Sequence, residues 1–254
     1  MKIDVNFDFT TDTPNYWSNY CFDNVLGSSD KPCKDPDSYS KTMKLYHQFL
    51  WSKPLPNGEK MNLEFGKGCD YLNWKNFRFG ADSICASFRY KKFRYMLEQV
   101  NDSILNYHGF MESFIRRTYT IGGSIIFPKD NSINRARGCN AYIKDRWDLT
   151  LECIRRYYKN EDSPLFETLH KNKDFFDLFV DFKGYVDFFF LQDCVSEDYN
   201  SVNFWVGDGD VSKNPMPQTV EEYLKWIEKQ IEFVEKRNRR IKNSLNSEEI
   251  KYGL

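Results

Sequence analysis

The fold is organised by residues Thr118–Tyr158, which read TYTIGGSIIFPKDNSINRARGCNAYIKDRWDLTLECIRRYY. Ile121–Phe127 is an apolar run closed by Pro128, and such a run predicts a buried strand. Cys139–Tyr158 carries apolar residues at the three- and four-residue spacing of a helix with a buried face. Between these segments lies a loop rich in arginine and glycine. The stretch therefore predicts a strand, a basic loop and a central helix in succession.

The basic loop predicts an anion-binding site. Arg135 and Arg137 precede Gly138, which we expect to open the central helix. Free backbone N–H groups and the positive end of the helix dipole would then face the two guanidinium groups, an arrangement suited to a phosphate or carboxylate. The alternative is that these arginines bind buried carbonyls and acidic side chains, since no established phosphate-binding motif is present. The predicted ligand-binding residues are Lys129, Arg135, Arg137, Gly138, Tyr142 and Arg146.

Three carboxylates in the central helix form the candidate catalytic set. Asp145, Asp148 and Glu152 lie within two turns of helix, and such side chains act as general acids and bases or, together with waters, as metal ligands. Asp148 and Glu152 are like charges at i,i+4, which favours a functional role because they repel. The alternative is a salt-bridged helix face, since Glu152 and Arg156 form an i,i+4 pair in the favourable order. No metal site is predicted, because the cysteines form no CxxC pair, and the sequence indicates no particular cofactor.

The composition excludes several classes of protein. The 254 residues suit one compact domain with or without a helical appendage, and 17% aromatic residues indicate a folded chain. A net charge of −1 supplies no field that attracts nucleic acid, so nucleic acid is not expected as a partner. The most apolar segment, Phe175–Leu191, is interrupted by acidic residues, which excludes a bilayer span. Seven scattered cysteines and an N-terminus without an apolar run predict a cytoplasmic protein.

The remaining segments predict an α+β fold in which helices dominate. Ser38 or Ser40 caps a helix that runs to about Trp51. Its predicted buried face consists of Met43, Tyr46, His47, Leu50 and Trp51. Short apolar segments between turn residues predict a small antiparallel sheet. These strands are Lys2–Phe9, Met61–Phe65, Tyr71–Trp74, Ser83–Phe88 and Ile121–Phe127.

The C-terminal part predicts a linker and a long helix. We divide the chain into a body (1–206), a linker (207–217) and a C-terminal amphipathic helix with its tail (218–254). Thr219 and Glu222 form a capping box. The apolar residues Val220, Leu224, Ile227, Ile231 and Val234 predict a seam that docks on the body, with a homodimer through this helix as the alternative. The basic run Lys236–Lys242 predicts a solvated helix end.

With these segments in place, the chain resembles a family of uncharacterised bacterial cytoplasmic proteins known only as a domain of unknown function. The resemblance covers roughly residues 4–205 and implies a bacterial or phage cytosolic protein, without catalytic residues to carry over. The similar segments are FDFTTDTPNYW (7–17), SKTMKLYHQFLWSKPLPNGE (40–59), FRFGADSI (77–84), IGGSIIFPK (121–129), SINRARG (132–138), IKDRWDLTLECIRRYY (143–158) and FFDLFVDFKGYVDFFFLQD (175–193).

Three functions are consistent with the sequence. The first is a cytosolic protein that binds a phosphorylated small molecule or nucleotide through Arg135 and Arg137, with Tyr142 or Trp147 stacked on a base. Such a protein could also be an enzyme that uses Asp145 or Asp148. The second is a protein-interaction module in a bacterial stress or phage-response system. The third is an RNA-binding protein, suggested by the alternating rings and cations of Phe88–Tyr95.

Overall fold

The fold is α+β with helices dominant, as the sequence predicts, and combines a small antiparallel sheet with a long C-terminal helix. It is seen in a computed structural model of the chain. The residues that the structure describes are 2–14, 16–17, 34–67, 71–85, 107–129, 143, 146–207, 209–213 and 216–252.

The sheet is an antiparallel meander. Within the described residues its strand order is β1-β2-β3-β4. Trp74 pairs with Phe77 across a two-residue turn, in which Lys75 takes a positive φ of 51°. The last strand is buried along its whole length, so the residues that follow Ser124 are an apolar run and not an alternating pattern. The strands are β1 (Glu64–Phe65), β2 (Leu72–Trp74), β3 (Phe77–Ser83) and β4 (Ser124–Pro128).

Two predicted strands are wrong. The third strand covers Phe77–Ser83, before the predicted Ser83–Phe88. Lys2–Phe9 forms turns and no strand, because its two aspartates bind the backbone just beyond them. Asp4 accepts a hydrogen bond from the N–H of Asn6 at 3.0 Å, and Asp8 accepts one from the N–H of Thr10 at 2.9 Å. Such local bonds compete with strand pairing.

The first long helix, the central helix and the C-terminal helix occur in the predicted order, and the start of the central helix differs from the prediction. The buried face of the first long helix, α2, is the predicted one, and the Ser40 hydroxyl accepts from the N–H of Met43 at 3.0 Å to cap it. The central helix, α4, begins at Trp147 because Arg146 is extended, so the predicted start near Gly138 is wrong. The helices are α1 (Pro36–Tyr39), α2 (Lys41–Trp51), α3 (Tyr107–Thr118), α4 (Trp147–Tyr158), α5 (Phe166–Lys171), α6 (Lys173–Phe176), α7 (Phe182–Phe188) and α8 (Val220–Tyr252).

Aromatic rings fill the core around α6 and α7. Phe175, Phe179, Tyr185 and Phe189 form a chain of rings with neighbouring centroids 5.1 Å apart. These contacts are edge-on or tilted, which suits the ring quadrupoles. Position 184 in α7 requires a glycine, because a Cβ there would stand 2.1 Å from the carbonyl oxygen of Phe179. Many of the aromatic residues that are so frequent in the sequence therefore pack in this core.

The C-terminal helix α8 docks on the body, as predicted. The Thr219 hydroxyl accepts from the N–H of Glu222 at 3.1 Å and caps the helix start. Arg237 is fully buried and donates to three backbone carbonyls, those of Gly122 (2.9 Å), Ser124 (2.8 Å) and Phe189 (3.0 Å). The prediction of a solvated helix end at Lys236–Lys242 is therefore wrong for Arg237, while Arg239 and Lys242 are exposed.

A second side chain, Asn238, completes this docking. Its Oδ1 accepts from the N–H of Gly122 at 2.7 Å, and its Nδ2 donates to the hydroxyl of Thr120 at 2.8 Å. Gly122 permits the close approach, because a Cβ there would lie 2.5 Å from the carbonyl oxygen of Val234. Gly122 is thus the position at which α8 packs closely on the body.

Candidate functional site

Arg146 and Asp148, two of the predicted site residues, form a buried pair. Both side chains have zero solvent exposure. The Arg146 Nε donates to Asp148 Oδ1 at 3.0 Å, and its Nη2 donates to the carbonyl of Val206 at 2.9 Å. Asp148 Oδ2 also accepts from the N–H of Trp205 at 2.8 Å. The pair holds the segment after α7 against α4, and catalysis by Asp148 stays a prediction that would require opening this pair.

Glu152 is bound by two arginines. Arg155 Nε donates to it at 2.7 Å and Arg156 Nε at 2.8 Å. Burial raises the pKa of Glu152, but the hydrogen bonds and charges of Arg155 and Arg156 outweigh it and lower the pKa below its usual value. Arg155 also reaches Glu161 at 3.1 Å. The salt-bridged helix face that was the alternative reading is present here, and a catalytic role for Glu152 stays a prediction.

The predicted anion site lies largely outside the described residues. This holds for Asp145, Arg135, Arg137, Gly138 and Tyr142, and the basic aromatic run 88–95 lies outside them too. Lys129 follows β4, is partly exposed, and its N–H donates to the carbonyl of Arg78 at 2.8 Å. The helix α4 begins at Trp147, nine residues after Gly138, and not at the glycine as predicted. The anion site stays a prediction that now rests on the loop alone.

A groove between α2 and α8 is the concave feature that the structure adds. Its volume is about 570 Å³. Side chains of α2 form one wall and side chains of α8 the other, with two further segments between them. The lining residues are Leu45, Gln48, Phe49, Leu50, Ser52, Lys53, Leu63, Phe190, Ile241, Ser244 and Leu245.

Two large apolar side chains on the α2 wall are open to solvent. Leu45 is 40% exposed and Phe49 is 44% exposed. They stand one helical turn apart, opposite the buried face of α2. Phe65 on β1 is 47% exposed and lies near Lys44 of the same helix, whose ammonium is 5.4 Å from the ring centroid. Apolar side chains that lie together at a surface, as Leu45 and Phe49 do, mark interaction sites more often than singly scattered ones do.

Lys53 is the one charged side chain among the described residues that line the groove. Its ammonium donates to the carbonyl of Phe188 at 2.7 Å and lies 4.1 Å from the ring centroid of Phe190. These contacts fix a positive charge at the groove, where it is favourable for a bound acid.

The sequence of residues 3–241 matches a family of unknown function, DUF6994. The chain belongs to this family. The matched residues of this family member include both walls of the groove as far as Ile241, while Ser244 and Leu245 lie beyond them. No curated protein and no solved structure matches the chain. In the described part of the chain, none of the helices combines the length and apolarity needed to cross a bilayer.

The groove was missed because its parts are far apart in the sequence. Residues 45–53, 63, 190 and 241–245 meet only in the folded chain. One local signal was available. Leu45 and Phe49 lie off the apolar face predicted for α2, and a second apolar pair on the opposite side of a helix indicates a second surface to cover.

Proposed function

We propose that this protein is an interaction module whose groove between α2 and α8 binds an amphipathic, acid-flanked helix of a partner protein. The observation that carries the proposal is a groove of about 570 Å³ beside two exposed apolar side chains, Leu45 and Phe49. A partner helix would cover them and remove their apolar surface from water.

The shape of the groove favours a helix as its occupant. Two helices form its walls, and apolar side chains at helical spacing line both. A helix in such a groove inserts side chains at i, i+3, i+4 and i+7, and it satisfies its own backbone hydrogen bonds. An extended strand would need an unpaired strand edge along the groove, and the α2 and α8 walls offer none.

The charge of the rim favours acidic flanks. Lys53 lines the groove, and the exposed Lys41 lies one turn before Leu45 on the same face of α2. Lys242 on α8, next to the groove-lining Ile241 in the sequence, is exposed as well. Opposite charges around an apolar centre orient a partner and speed its association. A second copy of this chain would instead bring like charges together across a symmetric contact.

The experiment uses two designed helical peptides with the same leucine stripe. One carries glutamates on its remaining positions and the other carries lysines. Fluorescence anisotropy should show tighter binding of the acidic peptide to the full chain. The double variant Leu45→Glu/Phe49→Glu should abolish that preference, since it places carboxylates where the leucine stripe and the acidic flanks meet the protein.

Val180→Glu is the matched control, because Val180 is 63% exposed and is not among the groove-lining residues. It should bind like the unchanged chain. Equal affinity for both peptides, or no effect of Leu45→Glu/Phe49→Glu, would overturn the proposal. So would a dimer in light scattering that the double variant dissociates, because the groove would then be occupied by a second copy.

We place this module in the cytoplasm. Cys153 and Cys194 are free thiols, and both are buried. Burial raises the pKa of Cys153 to about 11 and that of Cys194 well above its usual value, so both thiols stay protonated. Unpaired thiols of this kind are typical of a reducing compartment.

A further inference from the structure

The end of α7 holds Lys53 in one position at the groove. The ammonium of Lys53 donates to the carbonyl of Phe188, the last residue of that helix, at 2.7 Å. Three rings lie close to the ammonium, with centroids at 4.1 Å for Phe190, 4.5 Å for Phe188 and 5.1 Å for Trp51. The fold thus orders this side chain before a partner binds, so binding loses less rotamer entropy.

One of these rings belongs to a residue with a strained backbone. Phe190 has a φ of 57°, in the left-handed region that favours glycine. It follows Phe189, the C-cap of α7, and the N–H of Leu191 donates to the carbonyl of Val186 at 2.9 Å, which closes a Schellman motif. The left-handed position of this motif is usually a glycine. Strained residues of this kind cluster at binding sites, and the ring of Phe190 lines the groove.

The held cation lies at one end of the apolar wall that α2 contributes. Lys53 continues the four-residue spacing of the exposed Leu45 and Phe49, and all three line the groove. Lys41 and Lys242 are exposed and are not among the lining residues. An exposed lysine gains little from an ion pair, because salt screens the charge and the side chain must first be ordered. A carboxylate should therefore bind more strongly at Lys53 than at the two exposed lysines.

We propose that Lys53 binds one carboxylate of the partner helix and that this contact supplies most of the preference for an acidic partner. This role rests on the proposed function of the groove, within which Lys53 determines specificity. An ammonium carries three N–H donors, and the carbonyl of Phe188 takes one of them. A carboxylate at the end of the partner's apolar stripe reaches the ammonium, because Lys53 stands four residues beyond Phe49. The charge-assisted bond forms beside apolar rings, where salt screens it less than at the open surface.

A double-mutant cycle with two helical peptides tests this role. Both peptides have blocked ends, the same leucine stripe and otherwise neutral residues; one carries a single glutamate at the end of the stripe and the other a glutamine there. In fluorescence anisotropy the glutamate peptide should bind the full chain about tenfold more tightly. Lys53→Met keeps the apolar stem of the side chain and should bind both peptides equally. Lys41→Met and Lys242→Met, the matched controls, should keep the tenfold ratio.

Phe190→Leu is a second variant that leaves the charge of Lys53 in the chain. It removes one of the three rings, so the ammonium is held less firmly and the ratio should fall to about threefold. Thermal unfolding shows whether each variant is folded, and the ratio for Phe190→Leu decides the outcome if Lys53→Met is not.

A tenfold ratio that persists in Lys53→Met or Phe190→Leu would overturn the role of Lys53. So would an equal drop of the ratio in Lys41→Met and Lys242→Met, because the preference for acid would then be spread over the rim while the proposed function stands. Equal binding of the glutamate-rich and lysine-rich peptides would overturn the proposed function together with this role.

Discussion

His47 should make the stability of the fold depend on pH. It is fully buried on α2, where Trp51 Nε1 donates to its Nδ1 at 2.8 Å. Its Nε2 therefore carries the proton of the neutral ring and donates to the Ser124 hydroxyl, 2.9 Å away. Burial, followed by the positive charge of Arg237, lowers the pKa of His47 to about 3. The ring is a neutral structural group in this account and no catalytic base.

The size of the effect follows from that pKa. In the unfolded chain His47 titrates near its ordinary value of 6.5, and in the folded chain near 3. Its contribution is fully present above pH 6.5 and is lost as the pH falls, because the unfolded chain then binds a proton that the folded chain does not. Between pH 7.5 and pH 5 the loss should be about 2 kcal/mol.

Urea unfolding at pH 7.5, 6.5, 5.5 and 5.0 measures this loss, with His47→Gln beside the unchanged chain. His47→Gln is expected to be less stable at pH 7.5 and to lack the loss of about 2 kcal/mol toward pH 5. His170→Gln is the control, because His170 is only half-buried and its Nδ1 lies 2.8 Å from the carbonyl of Phe166. An unfolding free energy equally pH-dependent in His47→Gln would refute the reasoning.

Two further predictions concern buried contacts. Gly122→Ala places a Cβ 2.5 Å from the carbonyl oxygen of Val234, so α8 must shift and thermal unfolding should show a loss of about 1–3 kcal/mol; an unchanged melting temperature would contradict the docking described for α8. Arg146→Met leaves the carboxylate of Asp148 buried without its cation and should cost about 3–5 kcal/mol in urea unfolding. Arg146→Met/Asp148→Asn should be more stable than that single variant, because no buried charge remains, and an equal loss in both would argue against the ion pair.

Local patterns predicted the elements whose residues act on their immediate neighbours. The five residues expected on the buried face of α2 are the ones that are buried. Thr219 caps α8 as expected, although Glu222 reaches the N–H of Gln218 and not that of Thr219. The strand predicted at Lys2–Phe9 is wrong, because the alternating pattern does not reveal that Asp4 and Asp8 bind the backbone beside them.

Features set by tertiary contacts were not available from the sequence. In the sequence, Arg237 is one of several cations in a basic run. In the fold it is buried because it donates to three carbonyls of segments that are distant in the sequence. The sequence identifies the carboxylates of α4 as charged groups. It does not show which arginines they pair with. Asp148 pairs with the preceding Arg146, and Glu152 pairs with Arg155 and Arg156.

The most direct test of the interaction surface is methyl NMR of the labelled full chain during titration with the acid-flanked peptide. The largest shift changes should fall on Leu45, Ile241 and Leu245, which lie on the two walls of the groove, and Val180 should not move. The lysine-flanked peptide should produce much smaller changes at the same methyls. Shifts elsewhere on the chain, or equal shifts from the two peptides, would contradict a groove that selects an acidic partner helix.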